Sequence, residues 1–265
     1  MTSDDPDRRT LLARAWDEAA QEYEQYFVPR FAPWVETAVQ ASAESVLPSG
    51  PILVPCCGTF PELPGLVTGH PEREIVGIDL SAGMVRLARE RATGWPTVRV
   101  VVGDAATLDP QWSSACAGVV SVFGLQQLPD PVAALGAWVA ALRRGGRLSV
   151  VYWPSVVEED GPFALLDRVL AGHRPPADDS WEGRIGDAVT AAGGTIERDE
   201  PPSFPMDHPD AETFWAAMTS GGPLRAMANA RGDTFMQARR QEFLELAPSG
   251  RWRHRPQARW IVAGR

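Results

Sequence analysis

Residues 51–79 read PILVPCCGTFPELPGLVTGHPEREIVGID, and the change of pattern within them decides the fold. A short apolar run, Ile52 to Val54, breaks at Pro55 and passes through the small residues Cys56, Cys57, Gly58 and Thr59. A helix-like segment follows, and a second apolar run ends in Asp79. Strand, tight turn, helix and strand make the unit that joins two parallel strands and leaves the turn at the carboxyl edge of the sheet. There the backbone N–H groups of the helix start, with an acid roughly 20 positions further on, can embrace a nucleoside. Asp79 offers two acceptor oxygens to a vicinal diol, through charge-assisted bonds worth about 1.5–3 kcal/mol each.

The pattern repeats downstream. Ser81 is a helix start signal before AGMVRLARERA, and VRVVV (Val98 to Val102) reads as a third buried strand running into Gly103-Asp104-Ala105. A fourth strand spans Ala117 to Phe123, GLQQLPDP follows, and Asp130-Pro131 opens a helix expected to reach Arg144. Gly145-Gly146 then ends that helix before a fifth strand, Arg147 to Trp153. Upstream, helical spacing predicts one helix over residues 8 to 27 and a second over Phe31 to Val46. Beyond Pro154, helices are expected at Pro162 to Ala171, Ser180 to Ala192, Ala211 to Thr219 and Leu224 to Leu246. Strands are expected at Thr195 to Phe204 and Gln257 to Ala263. The Pro- and Asp-rich stretch Arg174 to Asp179 reads as a mobile loop.

The altered turn, Asp79, Asp104 in its GDA context and the LPDP-to-GGRL unit, in that order, resemble the class I S-adenosylmethionine-dependent methyltransferases, in the small-molecule (methyltransferase type 11, UbiE-like) branch. The resemblance implies an α/β fold: a Rossmann-like, doubly wound, seven-stranded, mostly parallel sheet with helices on both faces. It also implies an N-terminal helical lid and a helical excursion before the last strand. A single domain over 1–265 is expected, with the lid at 1–47, a cofactor-binding core at 48–154 and substrate-side helices with the last two strands at 155–265. The implied cofactor is S-adenosyl-L-methionine, with S-adenosyl-L-homocysteine as product.

Carried over position by position, the resemblance implies cofactor contacts from Tyr23, Pro55, Cys56, Cys57, Gly58, Asp79, Leu80, Met84, Asp104, Ala105 and Phe123. Asp79 takes the ribose hydroxyls and Asp104 the adenine amine. The family's turn carries an acid and three spaced glycines. Here Val54 stands for the acid, Cys56 for the first glycine and Phe60 for the last, with only Gly58 kept. A side chain at Phe60 is expected to limit how closely a ligand approaches the backbone.

Gln126 falls where small-molecule O-methyltransferases often place a histidine base. An amide has no useful proton affinity near neutral pH, so Gln126 is expected to orient the acceptor without deprotonating it. The acceptor wall is expected from Gln127, Tyr152, Trp153, Phe163, Trp215 and Met218. Methyl transfer without a base is chemically sound because holding an activated methyl and its acceptor in line supplies about 7–11 kcal/mol of the barrier. The function that the resemblance implies is methylation of a small molecule, in natural-product metabolism. The alternative is a methyltransferase-fold protein that binds the cofactor without methylating, as a cyclase-like enzyme or partner subunit.

Composition narrows the field. All 25 basic residues counted with lysine are arginine, which removes Schiff-base chemistry and a phosphate-loop lysine. A formal charge of −9 argues against nucleic acid as partner. The run Arg251, Arg253, His254, Arg255, Arg259 reads as a solvated turn before the last strand. The three cysteines form no disulfide framework, so a reducing cytoplasm is expected. No apolar run approaches the ~18 residues of a membrane span. A dinucleotide dehydrogenase would want GxGxxG where this chain has CCGTFP. Adenine and glutamine methyltransferases would want Asn/Asp-Pro-Pro-aromatic where it has Phe123-Gly124-Leu125-Gln126, and cytosine enzymes a Pro-Cys after the fourth strand. Cys56 and Cys57 read as small fillers of a tight turn. His70, His173, His208 and His254 are scattered with no ligand spacing, so no metal site is expected. The sequence leaves the oligomeric state open.

Overall fold

A computed structural model describes residues 6–44, 46–173 and 179–265; the loop expected at Arg174 to Asp179 lies, apart from Asp179, outside them. The first element is one helix, α1 (Pro6–Ala43), where the sequence pattern predicted two. Pro29 and Pro33 each remove a backbone donor, yet the aromatic stripe runs on through them. Tyr23 and Phe27 pack with tilted rings, centroids 5.7 Å apart, and Phe27 and Phe31 stack at 5.5 Å. Burial of that stripe outweighs the lost hydrogen bonds.

Strand β1 (Ile52–Pro55), helix α2 (Leu63–Gly69) and strand β2 (Ile75–Asp79) follow as the opening unit. Helix α3 (Ala82–Arg91) starts on Ser81, whose Oγ accepts the Met84 N–H at 3.0 Å. Strands β3 (Val98–Val102) and β4 (Cys116–Val122) then lead to helix α4 (Pro131–Ala141), capped by the Asp130 carboxylate. This helix stops at Ala141 and not at Arg144, because strand β5 (Leu142–Tyr152) begins at once and takes Gly145-Gly146 into its own bulge. Its register on β4 jumps from Cys116–Leu142 to Gly118–Arg147.

Beyond β5 come α5 (Pro162–Leu170), α6 (Ile185–Ala191), β6 (Thr195–Glu200), β7 (Met206–His208), α7 (Ala211–Ser220), α8 (Arg225–Arg231), α9 (Asp233–Leu246), β8 (Trp252–His254) and β9 (Arg259–Gly264). Four expectations are corrected here. The span Leu224 to Leu246 is two helices, broken at Gly232 with φ +75°. The helix expected from Ser180 begins only at Ile185, after one tighter turn. β6 stops at Glu200, since Pro201 and Pro202 have no N–H to donate to a ladder. The basic run is not a solvated turn: Trp252–His254 pairs antiparallel with Met206–His208, and Asp207 accepts from Arg251 and Arg253 across that pair.

Two compact units result, and they do not follow the ranges 1–47, 48–154 and 155–265. The sheet unit comprises 32–154, 179–202 and 258–265; the helical unit comprises 1–31, 155–178 and 203–257. In the sheet unit seven strands run in the order β3-β2-β1-β4-β5-β9-β6. β3, β2, β1, β4 and β5 are mutually parallel, and β9 lies antiparallel between β5 and β6. The expected doubly wound, mostly parallel sheet is therefore present. Its core joins Leu53, Val119, Leu148 and Ile261 of the sheet to Trp138 of α4 and Val189 of α6.

Candidate functional site

The carboxyl ends of β1 and β2 are tied together by the residues the sequence singled out. Cys57 donates its N–H to the Ile78 carbonyl at 3.0 Å, and Gly58 donates to Asp79 Oδ2 at 2.8 Å. The other Asp79 oxygen accepts the Ser81 N–H at 2.9 Å, which sets the start of α3. The end of β3 joins the same edge, with Gly103 N–H donating to the Asp79 carbonyl at 2.9 Å and Asp104 Oδ1 accepting from Ala106 at 2.8 Å. Leu80 is half-buried beside Asp79, Met84 is buried in α3, and Ala105 is buried with its carbonyl on the Trp138 indole N–H. Pro55, Cys56, Cys57, Gly58, Asp79, Leu80, Met84, Asp104 and Ala105 thus share one unit and one strand edge. At Gly58, with φ +51°, a Cβ would meet nothing within 4 Å. The backbone there faces open space, as close approach of a ligand requires.

Phe60 overturns its expected role. Its ring is fully buried, and a Cβ on Gly77 of β2 would stand 3.0 Å from Cε1 of Phe60 and 2.9 Å from Sγ of Cys57. The ring has turned down onto the sheet instead of out toward a ligand. Cys56 has a counterpart of its own, since a Cβ on Gly124 would lie 2.2 Å from the Cys56 Cβ. Cys56 and Phe60 hold φ of +56° and +65°, the left-handed conformation that glycine would favour. Two side chains therefore stand at turn positions whose backbone glycine would favour, and Gly77 and Gly124 on the neighbouring segments leave the room those side chains occupy. That signal was available in the sequence as Gly77 inside a strand and Gly124 at a strand end.

Gln126 donates from Nε2 to the Phe123 carbonyl at 2.7 Å. A carbonyl only accepts, so the amide orientation is fixed. Its Oε1 is buried and has no hydrogen-bond partner among the described residues. Phe123, with φ +58°, stacks on Trp153 at 4.1 Å, and Trp34 meets both edgewise. Gln127 is half-buried nearby in the turn Leu125–Gln127. Tyr152 departs from its expected place in an acceptor wall. Adjacent strand residues face opposite sides, and Tyr152 points into the core, fully buried, with Trp181 5.0 Å away.

The helical unit holds the remaining residues. Tyr23 packs within the stripe of α1, 5.7 Å from Trp16. Trp215 and Met218 are buried in α7, Trp215 against Phe243. Phe163 lies half-buried between Phe214 and His254. The histidines are less scattered than their sequence positions indicate. His208 and His254 come together on the paired strands β7 and β8, Nε2 to Nε2 at 2.9 Å. Among the described residues, no group of three or more His, Cys, Asp and Glu side chains is placed to hold a metal ion.

Sequence reasoning missed Glu62, an acid in an otherwise apolar turn. It is 1% exposed, and its Oε2 has no partner among the described residues. Burial first, and the Asp79 carboxylate after it, push its pKa up to about 8, against opposition from Arg91. Burial and Asp79 likewise raise the Cys56 and Cys57 thiols, so neither is a ready thiolate nucleophile. A surface cleft of about 510 Å³, lined by Gly50, His70 and Arg73 among others, lies at the amino ends of β1 and β2. In open α/β sheets ligands bind at the carboxyl ends, so the geometry at Gly58 and Asp79 outweighs that cleft.

Residues 52–146 match the family described as Methyltransferase domain. Part of the chain is 32% identical over 95 residues to a demethylmenaquinone methyltransferase of Staphylococcus carnosus, covering 34% of this chain and 38% of that protein. The chain's match spans well under half the length of the curated relatives. Among solved structures, the YcgJ protein of Bacillus subtilis superposes with a TM-score of 0.56 at 13% identity, over 87% of this chain and 97% of that one. The magnesium protoporphyrin IX methyltransferase of Synechocystis PCC 6803, solved with bound SAH, gives 0.53 at 16% identity, over 88% and 83%.

Proposed function

We propose that the protein transfers a methyl group from S-adenosylmethionine to a small-molecule acceptor; the match of residues 52–146 to the family described as Methyltransferase domain and the fold shared with a solved methyltransferase support this reading. The observation that carries this reading is the Gly58 N–H on the Asp79 carboxylate. It holds the acid at the turn where the ribose hydroxyls of a nucleoside would lie, with open space above Gly58. Asp104, at the end of the adjacent strand, would take the adenine amine. The bound cofactor supplies a methyl group already activated on a sulfonium.

The chain's own contribution is positioning. The stacked rings of Phe123 and Trp153 offer an apolar wall, and the buried Gln126 oxygen offers an acceptor to an O–H or N–H of the molecule being methylated. Holding two reactants in line supplies about 7–11 kcal/mol of a barrier. A small acceptor in natural-product metabolism, a cytoplasmic setting and the absence of nucleic-acid partners all belong to this proposal; the acidic balance of −9 supports the last. Among the described residues no helix is long and apolar enough to cross a membrane.

The test is S-adenosylhomocysteine release on mixing the protein with S-adenosylmethionine and a library of phenols, enols and amines. Turnover that is lost in Asp79→Ala supports the reading. Tight cofactor binding with no turnover for any acceptor would favour a binding role without methylation.

A further inference from the structure

The turn that follows β1 buries two polar atoms without partners. Thr59 is fully buried and Glu62 is 1% exposed, and neither Thr59 Oγ1 nor Glu62 Oε2 has a hydrogen-bond partner among the described residues. Native folds rarely bury a polar atom unpaired, and where they do it marks strain, chemistry or a bound species. The same turn lacks the acid that the resemblance leads one to expect before it. Val54 stands there, fully buried in the apolar strand, while the acid Glu62 stands at the entrance of α2.

The strand order relates Glu62 to a bound nucleoside. β3, β2, β1 and β4 are successive neighbours in the sheet. With the adenine amine on Asp104 after β3 and the ribose hydroxyls on Asp79 at the end of β2, the nucleoside runs toward β1. Its 5′ substituent, the methionine chain, would reach over the segment that follows β1, which is the turn holding Thr59 and Glu62. The wall of Phe123 and Trp153 lies further along the same edge, after β4 and β5. All these residues belong to the sheet unit.

The titratable and charged groups acting on this carboxyl come from each neighbouring element. Asp79 acts from β2 and Arg91 from α3, and the Cys56 and Cys57 thiols lie within the turn itself. Arg91 also donates to the Thr59 carbonyl at 2.5 Å. Burial is the largest influence and holds the Glu62 pKa up at about 8, so the carboxyl is protonated at neutral pH and below.

The methionine chain brings two positive charges, a sulfonium and an α-ammonium. The sulfonium loses its charge as the methyl leaves, so a carboxylate against it would stabilise the bound cofactor more than the transition state. The ammonium keeps its charge throughout and can be held without that penalty. We propose, on the methyl-transfer reading, that Glu62 binds the α-ammonium of S-adenosylmethionine and releases a proton to solvent as it does so, giving the turn from α2 the acid it lacks at Val54. A cation beside a carboxyl favours its ionised form. Glu62 therefore gives up its O–H proton to the buffer and accepts from the ammonium, and Thr59 Oγ1 offers a further hydrogen bond to the same end of the cofactor.

Calorimetry on the full chain at about pH 6.5, below the range where α-amino groups lose their charge, tests this directly. Titrations in phosphate and in imidazole, whose ionisation heats differ, read the protons released on binding. The unaltered protein is expected to release about one proton per S-adenosylmethionine bound. It should release the same for S-adenosylhomocysteine, which keeps the ammonium and lacks the sulfonium. Glu62→Gln keeps the shape of the neutral carboxyl and cannot ionise, so it is expected to bind about tenfold more weakly and to release none. Affinity should rise with pH by up to about tenfold per unit between pH 5 and 7 in the unaltered protein, and stay level in the variant. Cofactor binding without proton release, or release that persists in Glu62→Gln, would overturn the proposal. Release with S-adenosylmethionine alone would assign the carboxylate to the sulfonium and overturn it equally. Failure of the unaltered protein to bind either molecule would remove the methyl-transfer reading and the role of Glu62 together. Binding with proton release but no turnover for any acceptor would remove the transfer and keep Glu62 on the ammonium.

Discussion

A Cβ on Gly77 would stand 3.0 Å from Cε1 of Phe60, so the bare backbone of β2 is the other half of a ring packed beneath the turn. Phe60 is a core residue at a position where glycine would serve close packing. Gly77→Ala is expected to overpack that contact and cost about 1–3 kcal/mol. Phe60→Ala should cost about 3–5 kcal/mol through the cavity left behind. In urea unfolding the double variant should be less destabilised than the sum of the two singles, because the added methyl enters space the ring has vacated. Strict additivity would separate the two residues energetically. Cofactor affinity should move little in Phe60→Leu, contrary to the expectation from sequence that this side chain limits ligand approach.

Asp79 joins two backbone donors from different segments, Gly58 at 2.8 Å and Ser81 at 2.9 Å. Its removal therefore loosens the turn as well as deleting acceptors for a diol. Calorimetry with S-adenosylmethionine is expected to show at least a tenfold loss of affinity in Asp79→Ala, about 1.4 kcal/mol. Asp79→Asn keeps one oxygen acceptor and should fall between the two. Unchanged binding in both would disconnect Asp79 from the cofactor.

Glu62 makes a statement about pH. Its pKa is raised from 4.5 to about 8 in the folded protein, so the folded state binds its proton more tightly than the unfolded chain does. That preference is fully present below the unfolded value and is lost as pH rises through about 8. Stability should therefore decline between these limits, by up to about 1.4 kcal/mol per pH unit from this group alone. Glu62→Gln, neutral throughout, should flatten that decline in melting curves taken from pH 5 to 8. A slope identical to that of the unaltered protein would show that Glu62 is ionised in the fold.

What the sequence made legible was local and periodic. The strands β1 to β4, the Ser81 and Asp130 caps and the acids Asp79 and Asp104 all sit within one or two residues of where pattern and turn chemistry place them. Pairing between distant segments was not legible. Nothing near Asp207 announces that Arg251 will lie beside it, so the run Arg251 to Arg259, which contains β8, read as a solvated turn. The same blindness scattered His208 and His254, 46 residues apart yet hydrogen-bonded. Tyr152 failed for a subtler reason. It and Trp153 were taken as a pair, but period-two alternation in a strand sends neighbours to opposite faces, and only Trp153 stacks on Phe123.

The Gln126 amide yields the last prediction. Its Nε2 is committed to the Phe123 carbonyl, which leaves Oε1 as an acceptor with no partner among the described residues. A buried acceptor without a donor costs about 1–3 kcal/mol, so a bound molecule that brings an O–H or N–H there recovers that loss. Gln126→Ala should raise KM for hydroxyl and amine acceptors and lower kcat by less than the 10²–10⁴-fold that follows loss of a general base. Gln126→Glu should do worse than alanine near neutral pH, because a carboxylate would face the Phe123 carbonyl with no proton to donate. Trp153→Ala removes the ring stacked at 4.1 Å on Phe123 and should slow transfer at least as much as Gln126→Ala, by widening the apolar wall. The comparison is best made as kcat/KM against pH for two acceptors of different pKa. If positioning is the whole role of Gln126, its variants lower both curves without moving either along the pH axis. A shift in the curves on replacing Gln126 would show that the amide sets an ionisation, and positioning would then not be its whole role.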